Sequence, residues 1–334
     1  MSGLIPKVSV AMVTYRHEPF IAEAIESVLR QRTNFEFELV IGDDCSPDCT
    51  GEIVREYAAK YPGKILTHSP ERNEGLTRNL SATIGMCRGQ YVAWLEGDDF
   101  WTSPEKLQRQ SDYLDTNSDC AWCFTRAIVV DRQGQPIETR PVIRVVQPKY
   151  TLADYLRRIF QPRACTVMFR HRLFAKFPDW YFEMPTGDMP LHVLNAEHGN
   201  IGFIDEEMAA YRIHPGGVWS GGVSPSDWHA ETPEQRRRDV ERLWAVLTVY
   251  RAVDAHLGAP YHGIMREQIA SFSQQLTHQC RALEDWPQMR RSVRQQLRSL
   301  PLPEGASMLG LLRAVLVSHL PFLARKQDGL SRRL

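Results

Sequence analysis

The chain has 334 residues, 40 of them Lys or Arg and 40 Asp or Glu, so its formal charge is zero. With 43% apolar and 24% charged residues it has the make-up of a soluble globular protein of about two units, which excludes wholesale disorder. No basic excess marks a dedicated nucleic-acid binder, and no nucleic-acid partner is expected. The balance is uneven, however. From Arg281 onward ten Lys/Arg face four Asp/Glu, so the first 280 residues carry a net charge of −6.

The first 130 residues alternate short apolar runs with amphipathic ones. Val8–Thr14 is a short β-branched run and predicts a buried strand. Ile21, Ala24, Ile25, Val28 and Leu29 share one face of a helix. Phe37–Ile41 predicts a second strand, closed by Asp43-Asp44; Ile53, Val54, Tyr57, Ala58 and Tyr61 line a second helix. Ile65–Thr67 predicts a third strand, residues 74–87 a third helix and Tyr91–Leu95 a fourth strand. Thr102 and Glu105, with Pro104 between them, have the spacing of a capping box and predict a helix start there.

Strands alternating with helices of this length predict an α/β fold, a mostly parallel sheet covered on both faces. After Asp131 the pattern loosens. Residues 131–136 predict a hairpin turn, Thr166–Phe169 a strand, Asp188–His198 a helix and Met208–Ile213 a last strand. A Gly/Pro/Ser-rich segment, His214–Ser226, follows, and beyond Thr232 the chain is Arg/Gln-rich and helical to about Ser299. These changes predict one domain over 1–230 and a helical region over 231–334.

Seven cysteines without a secretory signal predict reduced thiols and a cytoplasmic location. Cys120 and Cys123 alternate with Trp122 and Phe124 as packed thiols on a strand, not as metal ligands. The run Val8–Val13 is too short for a signal peptide, and no stretch reaches the roughly eighteen apolar residues of a membrane span.

In open parallel sheets ligands bind beyond the carboxyl ends of the strands. Asp43-Asp44 stands at one such end and Glu96-Gly97-Asp98-Asp99 at another, and Asp188 opens a later helix. Three carboxylates within four residues repel one another unless a cation meets them, and a divalent ion is the natural candidate. Neither a Gly-rich dinucleotide fingerprint nor a Walker A sequence is present.

Val8–Tyr15, Asp43–Thr50, Glu96–Asp99, Thr186-Gly187-Asp188 and Tyr211–His214 together resemble the family 2 glycosyltransferases, nucleotide-sugar-dependent enzymes of the GT-A fold. The resemblance covers about residues 5–220, in the style of bacterial enzymes of surface-polysaccharide or lipopolysaccharide assembly. It implies a nucleotide-sugar half over about 1–130 and an acceptor half over about 131–230. It further implies that Thr14 and Tyr15 lie against the base and ribose, and that Asp44 accepts from a base imide, which favours UDP or dTDP. Asp98 would contact the ribose or the metal shell, and Asp99 would ligate Mg²⁺ or Mn²⁺. Arg78, with Asn79, resembles the family's donor-side pair, and Arg212 would meet the diphosphate. His214 would help hold the metal or diphosphate, and Asp188 takes the general-base position of an inverting transfer. The acceptor would be a glycan or a lipid-linked saccharide.

Two other readings use the same residues. A nucleotidyltransferase of related fold would need a Gly-rich basic loop where this chain has Thr14–Glu18; a non-catalytic nucleotide-sugar binder would not need Asp188. Near the C-terminus, Arg290, Arg291, Arg294 and Arg298 precede an apolar face from Met308 to Leu320. Such a segment suits peripheral contact with an anionic membrane at the inner face of the cytoplasmic membrane; packing on the catalytic domain or a homodimer contact is the alternative.

Overall fold

The computed structural model describes residues 5–137, 143, 145–217 and 232–298. The first half runs β1 (Val8–Thr14), α1 (Ile21–Leu29), β2 (Phe37–Asp43), α2 (Thr50–Lys60), β3 (Ile65–His68), α3 (Leu76–Met86) and β4 (Tyr91–Glu96). Every residue of β1 and β2 is buried, as expected of parallel strands covered on both faces. β1 pairs in parallel with β2 and β4, and β2 with β3. Ile21, Ala24, Ile25 and Val28 are fully buried in the core cluster with Val10, Met12 and Leu95.

The second half runs β5 (Phe100–Trp101), α4 (Lys106–Thr116), β6 (Cys120–Val130), β7 (Lys149–Tyr150), α5 (Leu152–Leu156), β8 (Val167–Arg170), α6 (Asp188–Ala196) and β9 (Asn200–Arg212). One nine-stranded sheet results, in the order β3-β2-β1-β4-β8-β6-β9-β5, with β7 also on β9. β8 is antiparallel to β4 and β6, whereas β6 and β9 are parallel. The parallel character thus belongs mainly to the first half. Cys120 and Cys123 are buried free thiols on β6.

Three local expectations change. The Thr102–Glu105 capping box does not form: α4 starts at Lys106, after Glu105, without a side-chain cap, because β5 holds the preceding residues against β9 and the Thr102 amide donates to the Met208 carbonyl. β9 begins eight residues before the expected Met208. Its exposed Asp205-Glu206-Glu207 breaks the apolar pattern, yet the strand stays paired with β6 across irregular register at Thr125–Ala127. β5 is only two residues long, and its Phe100 and Trp101 pair with Ala210 and Ala209.

The chain divides into two compact units, residues 1–225 and 226–334. In the second, α7 (Pro233–Leu257), α8 (His262–Ala282) and α9 (Trp286–Arg298) follow one another. Thr232 caps α7 by accepting from the Gln235 amide, with Pro233 in the first turn. Leu247, Tyr250 and Val253 of α7 and Met265, Phe272 and Leu276 of α8 are buried, and the rings of Tyr250 and Phe272 lie 5.0 Å apart. On α9 the guanidinium of Arg291 covers the Trp244 ring. No described helix is long and apolar enough to cross a membrane. The apolar face from Met308 to Leu320, and the glycine-rich segment beyond Gly217, lie outside the described residues.

Candidate active site

Parallel pairing brings the ends of β1, β2 and β4 side by side: Val13 stands opposite Gly42 on one flank and Glu96 on the other. The acidic turns that follow these strands therefore meet at one edge of the sheet. Two loops there are stitched together. The amides of Arg16 and His17 donate to the hydroxyls of Ser46 and Thr50, that of Glu18 to Asp48, and that of Cys49 back to the Glu18 carboxylate. Arg16 and Cys45 take left-handed backbone angles, φ 59° and 57°, to make these turns.

The stitching sets His17 beside the acidic turn. Its Nε2 lies 3.6 Å from Asp98 Oδ2, and His214 Nε2 lies 3.0 Å from the same oxygen. His214 packs on the Phe20 ring, 4.6 Å between centroids. One ligand atom from each of His17, Asp98 and His214 lies within 4.8 Å of the other two, making this the metal-competent cluster among the described residues. Burial pushes the Asp98 carboxyl up, but His17 and the hydrogen bond from His214 outweigh it and leave it below the ordinary carboxylate range. Burial lowers His17, which favours the neutral imidazole that metals bind. His17 Nδ1 is buried without a hydrogen-bond partner.

Asp99 is turned the other way. Its Oδ1 accepts from the Arg212 amide at 2.8 Å, while Oδ2 is buried without a hydrogen-bond partner. Burial first, then Asp98, raises its carboxyl well above the usual range. The side chain expected to ligate metal thus packs against β9, and its neighbour Asp98 faces the histidines. The cause is β5: pairing of Phe100 with Ala210 sets which of the two adjacent carboxylates points into the sheet.

Arg212, expected at the diphosphate, is a clamp. Its Nε donates to the Asp98 carbonyl, Nη1 to the carbonyls of Asp131 and Arg132, and Nη2 to Glu23, and the group lies between the rings of Phe20 and Phe100. Only 3% of Arg212 is exposed. The protein engages this guanidinium from several sides, which holds the acidic turn against the end of β9.

The remaining expected residues divide by environment. Thr14 is buried, and its Oγ1 has no hydrogen-bond partner; Tyr15 is exposed, with the Arg16 guanidinium over its ring. Asp44 accepts from the amides of Glu74 and Gly75 at 2.8 and 2.9 Å, which fixes the turn into α3 where Gly75 takes φ 89°. Asp43 shapes its own turn, its Oδ1 accepting from the amide and hydroxyl of Ser46. Of the Arg78–Asn79 pair, Asn79 is buried and donates to the Gly42 carbonyl, whereas Arg78 is exposed over the Phe182 ring.

Asp188 opens α6 half-buried, near enough to Glu96 to help raise that carboxyl. Burial is the main cause of the Glu96 shift, followed by Asp98 and Asp99. One turn along α6, His192 is buried, stacked on Trp122 and bonded through Nδ1 to the Tyr155 hydroxyl, and burial holds it down at about 4. Sequence reasoning missed His17 and gave Glu96 no role of its own. Glu96 was visible within its motif, whereas nothing in the spacing of His17 links it to Asp98.

Against known proteins, the profile described as Glycosyl transferase family 2 matches residues 9–176, half of the chain. An uncharacterized protein of Mycobacterium tuberculosis, Rv1520, is 34% identical over 215 residues, which are 63% of this chain and 60% of that one. TuaG of Bacillus subtilis, whose name as a teichuronic acid biosynthesis glycosyltransferase is provisional, is 32% identical over 138 residues, 41% of this chain and 53% of that one. The chain thus spans just over half the length of these relatives. Residues 1–349 of Staphylococcus aureus TarS, solved with UDP-GlcNAc, superpose with a TM-score of 0.54 at 19% identity, over 88% of this chain and 89% of that one. The mannosyltransferase PcManGT of Pyrobaculum calidifontis, solved with GDP-Man and Mn²⁺, gives 0.54 at 13% identity over 96% and 81%. At such identities the two structures speak for the fold. With the family profile running from β1 through the acidic turn to beyond β8, the chain belongs to glycosyl transferase family 2.

Proposed function

We propose that this protein transfers a sugar from a nucleoside-diphosphate sugar to an acceptor hydroxyl, with inversion at the anomeric carbon. The observation that carries the reading is the meeting of Asp98, His17 and His214 at the carboxyl edge of β1 and β4. One carboxylate and two imidazoles suit a divalent ion, and Mn²⁺ better than Mg²⁺, which prefers oxygen ligands alone. Asp98 and His214 would hold it, with His17 as third ligand; when bound it supplies positive charge against a leaving diphosphate. This assigns to Asp98 the role that the sequence placed on Asp99.

The chain's own groups do the rest. Tyr15 and Thr14 border the nucleoside, and Asp44, with lone pairs left after its two backbone bonds, accepts from a base imide, which favours uracil or thymine. The UDP-GlcNAc complex of TarS is consistent with that choice, although PcManGT binds GDP-Man on the same fold. Exposed Arg78 at the start of α3 adds a cation on the donor side. An acceptor hydroxyl is a poor nucleophile at neutral pH, so Asp188 takes its proton during attack from the face opposite the leaving group. Inversion follows from that single displacement.

The acceptor is a glycan or lipid-linked saccharide of cell-envelope polysaccharide assembly, in keeping with the name of TuaG. The basic, apolar C-terminal residues, which include 303–334, hold the protein at the cytoplasmic face of an anionic membrane, with a homodimer contact as the alternative use of that surface. Thermal shift with UDP, in Mn²⁺ and in EDTA, tests the core of the reading. Wild type and Asp99→Asn should gain metal-dependent stabilisation by UDP, and Asp98→Asn should gain none. Equal gains in Asp98→Asn and wild type would refute the metal assignment.

A further inference from the structure

Between α3, α6 and the segment after β8 lies a cavity of about 640 Å³, within the size range of small-ligand sites. Apolar side chains make up much of its wall: Ile84, Phe169, Phe174, Phe177 and Leu191 all line it. Three cations, Arg170, Arg172 and Lys176, line it against one carboxylate, Asp179. Arg170 is bonded to backbone carbonyls of Leu114, Asn117 and Cys120, but Arg172 and Lys176 are exposed.

Two further observations point to an occupant. Asn195 lines the cavity at 1% exposure, and its Nδ2 has no hydrogen-bond partner. A buried amide donor left unpaired has lost its water without gaining a partner, which an oxygen of a ligand would supply. Gly85, exposed in the last turn of α3, also lines the cavity, with nothing within 4 Å of where a Cβ would stand. Crowding does not call for glycine there, and without a side chain the rim of the cavity is open at this position. The cavity also shares α6 with Asp188: Leu191 and Asn195 lie three and seven residues further along, on the same face of the helix.

We propose that this cavity is the acceptor's carrier subsite. It takes the hydrocarbon part of an anionic amphiphile, with Asn195 donating to an oxygen of the linking group and Arg172 and Lys176 meeting its phosphate. The saccharide hydroxyl then lies toward the start of α6, where Asp188 stands. The orientation rests on the transfer function proposed above; the binding itself does not.

The test uses the full chain and dodecyl phosphate, kept below its micellar concentration, as the titrant in calorimetry. Wild type should bind it at least about tenfold more tightly than either inorganic phosphate or neutral dodecyl maltoside. Gly85→Phe, which fills the mouth, should weaken binding by at least about tenfold, whereas Gly85→Ala, which improves the helix and adds one methyl, should stay within about threefold of wild type. Arg172→Gln with Lys176→Gln should weaken binding and flatten its salt dependence. Equal binding by wild type and Gly85→Phe would overturn the subsite, and so would dodecyl maltoside binding as tightly as dodecyl phosphate. Metal-dependent UDP stabilisation, measured on the same samples, reports separately on the transfer function: its absence in wild type with dodecyl phosphate binding intact refutes that function, and with it the acceptor role, and leaves the cavity as an anionic-amphiphile site.

Discussion

At the carboxyl edge of the sheet Asp98 stands between two imidazoles, with half-buried Glu96 and buried Asp99 beside it. Between α3 and α6 a single amide, Asn195, stands among phenylalanines. In the first region burial, then the neighbouring carboxylates, raises Glu96 and Asp99, while the two histidines hold Asp98 below the ordinary range. The second joins apolar side chains to one buried, unpaired amide and to cations, Arg172 and Lys176, that are exposed to solvent. Charge crowding is therefore the mark of the first region, and apolar space with one buried unpaired amide and exposed cations the mark of the second.

The largest effect should come from breaking the crowded edge. Asp98→Asn removes the charge the two histidines share, and the loss of several kcal/mol of leaving-group stabilisation corresponds to a fall of about 10³-fold or more in transfer. Asp99→Asn should leave metal-dependent UDP binding near wild type, since its Oδ1 can still accept from the Arg212 amide. A transfer assay beside the thermal shift separates the two, and equal loss in both variants would return Asp99 to the metal.

Next comes the border between the two regions. Asp188→Asn keeps size and most hydrogen bonding but cannot take a proton, and transfer should fall by about 10² to 10⁴. UDP affinity in Mn²⁺ should hold. Near-normal transfer would place the base elsewhere, and lost UDP affinity would move Asp188 to the donor side.

A smaller change sharpens the donor edge. His17→Gln keeps the loop, whose stitching uses the backbone amide of His17, but removes one imidazole. Mn²⁺ affinity should fall by about 10- to 100-fold with little change in melting temperature. Unchanged affinity in a Mn²⁺ titration would limit the site to Asp98 and His214.

The smallest effect on activity, and the clearest on stability, concerns a cation beneath the edge. Lys106 is fully buried, with Nζ on Gln110 Oε1 and over the Trp101 ring, and burial pushes it down to about 7 from 10.5. Between those values the unfolded chain holds a proton that the folded one lacks, so stability rises with pH across that window and is flat below about 7. The rise is on the order of a few kcal/mol. Lys106→Met should flatten it, and denaturant melts at pH 7 and pH 9.5 would show this; an unchanged slope would mean that Lys106 is charged in the fold.

Much of the fold could be inferred from local pattern. β1, the buried face of α1 and the strand ends at Asp43 and Glu96 follow from short apolar runs and helical spacing, and the acidic turns were visible as motifs. Where the pattern failed, a distant partner had intervened. β5 removed the capping box at Thr102, and β6 carried β9 through its charged middle.

The same division holds at the site. The sequence by itself determined that carboxylates crowd a strand end, that a histidine follows the last strand, and that an aspartate opens α6; each of these depends on neighbours along the chain. Only the tertiary structure decided that Asp98 and not Asp99 meets the histidines, that His17 joins them, and that Arg212 is a clamp. Adjacent side chains in a turn point in different directions, and which one faces the cleft is set by the pairing of Phe100 with Ala210, far along the chain. A charged group takes its role from the partner it finds in space, and the spacing of residues along a chain does not record that partner.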